Sequence, residues 1–238
     1  MAYFITGISS GLGLSLSNQI MGSGQHVYGV SRRGHPQEPK SPYLHESKLD
    51  LLDLNSIPGT LAELLKEPTT IDVAILNAGI LGDISRMSDT SVAQLERIMT
   101  VNVWANKIIM DWFLQNPVQV DQLILISSGA AVNGGKGWSG YSLSKAALNM
   151  LAQLYAHELS ATHVISLAPG LVDTAMQEFI SNPGNIDTNE FPSFQQLRDA
   201  RQGGSMPTAP EAAARIISIL PELKKFDSGS FIDIRDLL

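Results

Sequence analysis

Short apolar runs alternate with helix-patterned stretches along nearly the whole of this 238-residue chain, and that alternation constrains the fold more than any other feature. Residues 2–6 form a short, mostly apolar run; a glycine-rich turn follows, then a helical pattern over residues 12–21. Further strand-like runs fall at residues 25–31, 44–49, 71–76, 123–126, 164–167 and 230–234. Helical patterns start at Ser56 and Pro58 and continue to Lys66, then recur over residues 92–114 and 139–159. A last helix opens on the capping-box spacing of Thr208 and Glu211 and reaches Leu220. Strands separated by helices imply a parallel sheet covered on both faces. Right-handed crossovers then make it doubly wound, an α/β fold with about seven strands. No internal repeat or linker divides the chain, so residues 1–238 read as one domain. The rhythm breaks between Gln177 and Pro207, where Pro183, Gly184, Pro192, Gly203 and Gly204 lie among Phe179, Phe191 and Phe194. This segment reads as a substrate lid over residues 177–207 rather than an irregular surface excursion, because long loops over α/β sites are often functional.

Composition removes several function classes. Hydrophobic residues make up 44% and charged residues 16%, which allows a sizeable core. No run of 18 apolar residues occurs, and residues 1–6 lead straight into the glycine motif, so neither a membrane span nor a secretory signal is expected. Cysteine is absent, which excludes disulfides and a thiol nucleophile and fits a cytoplasmic protein. A net charge of -7 disfavours nucleic acid, and the clearest basic cluster, Arg32-Arg33, is too small to be a footprint for it. His26, His35, His45, His157 and His163 show no metal-ligand spacing, so no metal is expected.

The turn after the first strand carries Gly7, Gly11 and Gly13 in a G-x-x-x-G-x-G spacing, with Ser9, Ser10 and Leu12 between them. Glycine permits a tight turn and close approach to a pyrophosphate, and the following helix N-terminus offers free N–H groups. A plain tight turn is the alternative, but its position at the start of an α/β pattern favours a dinucleotide. An acid at the end of the second strand would select NAD; this chain has Ser31-Arg32-Arg33 instead. Two guanidinium groups suit a 2′-phosphate, so NADP(H) is the expected cofactor, against a merely solvated basic turn.

Tyr141 and Lys145 stand at i and i+4 and share one helix face, with Leu143, Ala147, Leu151 and Leu154 beside them. A nearby ammonium is expected to lower the phenol pKa from about 10. In a reduction the phenol donates its proton to the carbonyl oxygen as hydride reaches carbon. Ser127 and Ser128 end a strand-like run, 14 and 13 residues before the tyrosine. Ser128 there either orients a substrate oxygen or merely caps the strand, and the tyrosine motif favours the first.

Together these motifs resemble the short-chain dehydrogenase/reductase family over most of the chain, from Thr6 to at least Thr174. The resemblance implies that Asp50 and Leu51 contact adenine, and that Asn77, Ala78 and Gly79 form the N-A-G element beside the cofactor. The family's frequent second asparagine is Leu76 here. It implies that Asn102 helps hold a water linked to Lys145, and that Asn102, Ser128, Tyr141 and Lys145 are the catalytic set. Pro169, Gly170, Val172 and Thr174 resemble the segment that cradles nicotinamide, and Lys145 is implied to bind its ribose. Lys136-Gly137-Trp138, the stretch from Ala168 to Gln177 and the tail from Ser228 to Asp233 resemble the sepiapterin reductase and benzil reductase branch of that family. That likeness makes Asp233 a candidate pterin anchor, against an ordinary exposed acid, and Trp138 and Met176 candidate pocket walls for a flat ketone.

The helical stretches carry more apolar surface than one sheet face needs. Val92, Leu95, Met99 and Val103 make one stripe; Val101, Trp104, Ile108 and Trp112 make another. The family pairs these helices across a two-fold axis, so a homodimer or homotetramer is expected, with crowded packing within one chain as the alternative. The function expected is NADPH-dependent reduction of a small-molecule carbonyl. NAD-dependent alcohol oxidation and a non-catalytic NADP-binding redox sensor are the competing readings.

Overall fold

Seven parallel strands form one sheet: β1 (Ala2–Thr6), β2 (His26–Ser31), β3 (Leu44–Lys48), β4 (Thr70–Leu76), β5 (Gln119–Ile126), β6 (His163–Ala168) and β7 (Phe231–Asp233). Their spatial order is β3-β2-β1-β4-β5-β6-β7. This is the doubly wound α/β architecture expected from the sequence, seen in a computed structural model that describes residues 1–38, 40–182 and 186–237. The chain winds outward in one direction from β1 and in the other from β4. A crevice therefore opens beyond the carboxyl ends of these two neighbours, where Thr6 and Leu76 end their strands.

Alternation along each strand feeds two cores. In β1, Phe4 packs into one apolar layer while Tyr3 and Ile5 face the other. Helices α1 (Gly11–Gly22) and α8 (Ala209–Leu223) cover the second layer through Leu16, Ile20, Ile216 and Leu220. Helices α2 (Ile57–Leu64), α4 (Ala105–Gln115) and α5 (Ser139–Glu158) cover the first through Leu61, Ile109, Met110, Leu148 and Ala152. Burial on both faces explains why the central strands read as continuous apolar runs.

Three elements depart from the sequence pattern. The helix expected over residues 92–114 is divided into α3 (Val92–Met99) and α4 by a π-helical turn, Thr100–Trp104. The wider turn carries Asn102, whose amide is held by Ile80 and Ser144 across the helix boundary. Strand β5 begins four residues earlier than its apolar run, because Gln122 is buried and donates its amide to the Leu220 carbonyl at 3.0 Å. The stretch after Thr174 holds two helices, α6 (Ala175–Ser181) and α7 (Pro192–Gln202). Pro192 starts α7 at a position where no N–H is needed. Ile180, Ile186, Phe191 and Phe194 bury a small core of their own there, apart from the two layers on the sheet. Pro183 and Gly184 lie outside the described residues.

Candidate active site

A cleft of about 670 Å³ runs along the carboxyl ends of the strands and gathers nearly every residue singled out from the sequence. At one end lie Ser31, Arg32, Arg33, Asp50 and Leu51; in the middle, Gly7, Ser9, Ser10, Gly11, Leu12, Asn77, Ala78 and Gly79. At the other end are Ser128, Trp138, Tyr141, Lys145, Pro169, Gly170, Val172, Thr174 and Met176. Gly13, Asn102 and Asp233 are the three expected site residues that do not line it.

The middle section fits a pyrophosphate. Gly7 has φ +83°, which glycine adopts without a Cβ clash. Gly13 acts by packing: a Cβ there would sit 2.3 Å from the Gly7 carbonyl oxygen and 2.5 Å from Asn77 Nδ2. Ser10 precedes α1 in an extended conformation, and its side chain does not cap the helix. The first-turn N–H groups thus face the cleft uncapped by Ser10, the arrangement that receives an anion. Asn77 Nδ2 donates to the Thr6 carbonyl at 3.0 Å, and the Thr6 hydroxyl accepts from the Ala78 amide at 2.9 Å, tying β1 to the N-A-G turn. With Leu76 buried in the core, one asparagine suffices for that tie.

The end at Arg32 and Arg33 is basic. Arg32 and Arg33 are exposed on the rim, and Arg33 Nη2 donates to the Ser10 hydroxyl at 3.3 Å. Ser31 is buried, and its hydroxyl accepts from the Gly34 amide, which turns the chain so that both arginines follow the strand end. Asp50 Oδ1 accepts from the Leu52 amide at 3.0 Å, a tight turn that keeps this acid near its own backbone.

At the reactive end, Tyr141 and Lys145 rise from the first turns of α5. The Lys145 ammonium lies 5.7 Å from the centroid of the tyrosine ring and donates to the Ile126 carbonyl at 2.7 Å. Ser128 shares a hydrogen bond with the Tyr141 phenol, and its hydroxyl also accepts from the Ala130 amide at 3.1 Å. The expected lowering of the phenol pKa is reversed in direction. Burial pushes Tyr141 above its ordinary value, and the Ser128 hydrogen bond only opposes that rise. The same burial pulls the Lys145 ammonium down to about 8. Lys145 is buried and Tyr141 is half-buried against the cleft, and loss of solvation is the largest influence on each.

Asn102 stands behind this set, fully buried. Its Oδ1 accepts from the Ile80 amide at 2.8 Å, while Nδ2 donates to the Ile80 carbonyl and to the Ser144 hydroxyl, both at 2.9 Å. It therefore clamps the turn after β4 to α5, and a Cβ on Gly79 would lie 3.2 Å from its Oδ1 and 3.6 Å from Lys145 Nζ. Trp138 stacks on Phe194 of α7, with centroids 4.6 Å apart, and sits tilted beside the Tyr141 ring at 5.7 Å. Met176 packs against the same small core as Phe194. Asp233 ends β7 and pairs with Arg235: Nε to Oδ1 at 2.8 Å and Nη2 to Oδ2 at 2.6 Å. Arg235 rather than Asp233 reaches the cleft. Sequence reasoning missed Arg235, Arg97 and Asn133 in the cleft wall, since none belongs to a spaced motif. Among the described residues, no group of three His, Asp or Glu could hold a metal ion. Nor is any helix there long and apolar enough to cross a membrane.

The short chain dehydrogenase model matches residues 2–184. The chain belongs to the short chain dehydrogenase family. Among similar proteins, a benzil reductase ((S)-benzoin forming) of Bacillus subtilis (strain 168) is 29% identical over 250 residues, covering 99% of both chains. A sepiapterin reductase of Bos taurus is 30% identical over 190 residues, covering 77% of this chain and 69% of that one. A solved short chain dehydrogenase/reductase of Saccharomyces cerevisiae shares the fold with a TM-score of 0.87, at 21% identity, over 99% of this chain and 96% of its own. Membership makes the protein an oxidoreductase that uses a nicotinamide cofactor and a small-molecule substrate.

Proposed function

We propose that this oxidoreductase reduces ketones with NADPH, acting on a vicinal diketone of the benzil kind or on a flat, sepiapterin-like carbonyl. The observation that carries the reading is Tyr141: a half-buried phenol, hydrogen-bonded to Ser128, beside Lys145, at one end of a cleft whose far end is basic. The phenol keeps its proton at neutral pH, and a proton donor beside the substrate oxygen is what carbonyl reduction requires.

When bound, the reduced cofactor supplies the hydride. Gly7 and the start of α1 receive the pyrophosphate, and Arg32 and Arg33 meet a 2′-phosphate with forked donors. Ser128 holds the substrate oxygen next to Tyr141, which delivers the proton. Lys145 keeps positive charge behind the phenol as the proton leaves, and two of its N–H groups remain free for ribose hydroxyls once Ile126 is bonded. Asn102 keeps the lysine and the turn after β4 in register through Ser144 and Ile80. Trp138 offers a flat wall beside the tyrosine, and α6 and α7 form a lid over it, which suits an aromatic or conjugated ketone.

The relatives support the substrate class: one reduces benzil and the other sepiapterin, as their names state. We further propose that α3, α4 and α5 form the contact of a homodimer or homotetramer. Val92 on α3, Trp104 in the π-helical turn, Leu114 on α4 and Leu143, Met150 and Leu154 on α5 are 44–69% exposed, more surface than a monomer needs to leave wet.

The test is a panel of diketones, pterins and simple ketones followed by NADPH absorbance, with NADH in parallel. Tyr141→Phe should lose about 10²- to 10⁴-fold in kcat while binding NADPH as the parent does. Full turnover in that variant, or much tighter binding of NADH than NADPH, refutes the proposal.

A further inference from the structure

The mechanism above leaves two cations of the cleft wall unused, Arg97 and Arg235, and Arg235 stands beside Ser128. Arg235 follows β7, at the carboxyl side of a parallel strand, where ligands of this architecture bind. Its stem lies against Gly170: a Cβ on that glycine would meet Arg235 Cγ at 3.6 Å and Cδ at 3.8 Å. Its guanidinium lies against Gly129, 3.5 Å from the equivalent point there, and Gly129 directly follows Ser128. The cation is thus anchored between the strand end that carries the substrate serine and the segment read as the nicotinamide cradle.

Asp233 fixes how that cation is presented. Its carboxylate takes Nε and Nη2 side-on and also accepts from the Arg235 amide at 3.0 Å. The side-on pair consumes one proton on Nη2 and leaves the second, with both on Nη1, for another acceptor. The Asp233 side chain is only 12% exposed, while that of Arg235 is 62% exposed, so the acid is spent on the arginine and the arginine faces the cleft. The pair is neutral overall. A neutral pair with free N–H donors suits an uncharged oxygen better than a carboxylate, because little net charge remains to offset the cost of desolvating an anion.

We propose that Arg235 is a specificity-determining residue that binds a second, uncharged carbonyl oxygen on the carbon next to the one reduced, with Asp233 as its positioning residue. The inference rests on the carbonyl reductase reading and narrows it to vicinal diketones. It also replaces the direct substrate contact expected of Asp233, since that carboxylate already has its partner.

Three substrates and two variants test it. Propiophenone has one carbonyl; 1-phenylpropane-1,2-dione adds the second; phenylglyoxylate replaces it by a carboxylate. Arg235→Met keeps the packed stem and removes the donors. It should lower the ratio of kcat/KM for the dione over propiophenone by about tenfold, the scale of one hydrogen bond to a charged donor. Asp233→Asn leaves the guanidinium uncompensated and should shift preference from the dione toward phenylglyoxylate. NADPH affinity, followed by fluorescence, should be unchanged in both. An unaltered dione-to-ketone ratio in Arg235→Met overturns the proposal. So does a tenfold loss of NADPH affinity, which assigns the arginine to the cofactor, or a wild-type preference for phenylglyoxylate over the dione. Reduction of none of the three by the wild type, with NADPH bound, overturns the reductase reading itself and this inference with it.

Discussion

Gly13→Ala is the sharpest probe of the proposed cofactor site, because the structure fixes what the added methyl meets. Its Cβ would stand 2.3 Å from the Gly7 carbonyl oxygen and 2.5 Å from Asn77 Nδ2, where ordinary contact begins at 3.4 Å. The backbone of the glycine turn must therefore retreat by about 1 Å, and backbone lacks the freedom of a flexible side-chain tip. Overpacking of this kind costs about 1–3 kcal/mol. For a chain of this length that corresponds to a fall in Tm of roughly 2–12 °C. The displaced turn also carries Gly7 and the start of α1, so NADPH affinity should fall by at least about tenfold, since near 1 Å of misplacement spoils fixed hydrogen-bond geometry. Gly22→Ala is the matched control: it lies at the other end of α1, where the added methyl has nothing within 4 Å of it, and Tm should stay level or rise slightly. Differential scanning fluorimetry with and without NADPH reads both quantities. If Gly13→Ala melts with the parent and binds NADPH equally well, the tight contact between Gly13 and the Gly7 turn is not what shapes the site, and the reasoning fails.

Further outcomes follow from the same geometry. The reduction rate should be level below about pH 8 and fall above it as Lys145 gives up its proton, while Tyr141, shifted upward, does not titrate in that range. Lys145→Met should show a lower rate with no such limb, and a limb that persists unchanged assigns the pH dependence elsewhere. The same depressed value means that between about pH 8 and 10.5 the unfolded chain holds a proton the folded chain has released, so this group's contribution to stability rises with pH across that window. Phe194→Ala removes a fully buried ring that stacks on Trp138, at a cost of about 3–5 kcal/mol concentrated in the small core of α6 and α7. Carbonyl KM should rise while NADPH affinity holds; an unchanged KM refutes the lid. Leu154→Glu places a charge in the exposed apolar row of α5, and sedimentation should show a smaller particle than the parent. An identical mass for the two removes that face from the assembly.

The elements themselves were legible because their signals are local. A five-residue apolar strand followed by three glycines at fixed spacing, and a tyrosine four residues before a lysine on a helix, need nothing from the rest of the chain to be recognised. The boundaries drifted where a tertiary partner decided them. Gln122 joins β5 only because the Leu220 carbonyl takes its amide, and the break at Thr100–Trp104 accompanies the inward hold on Asn102 by Ile80 and Ser144. The two apolar stripes expected on the helices were likewise sorted by packing: Trp112 and Val103 went inside, while Trp104 stayed exposed.

By itself the sequence determined the order of the seven strands, the glycine turn, the basic cluster after β2 and the spacing of Ser128, Tyr141 and Lys145. Each is encoded in short-range spacing or in backbone stereochemistry. Only the tertiary structure decided that burial raises the Tyr141 pKa, that Trp138 meets Phe194, and that Asp233 is matched by Arg235 beside Gly129 and Gly170. Solvation depends on everything packed around a group, and a contact between distant segments depends on how the whole chain closes. Neither quantity is carried by a residue and its neighbours in sequence.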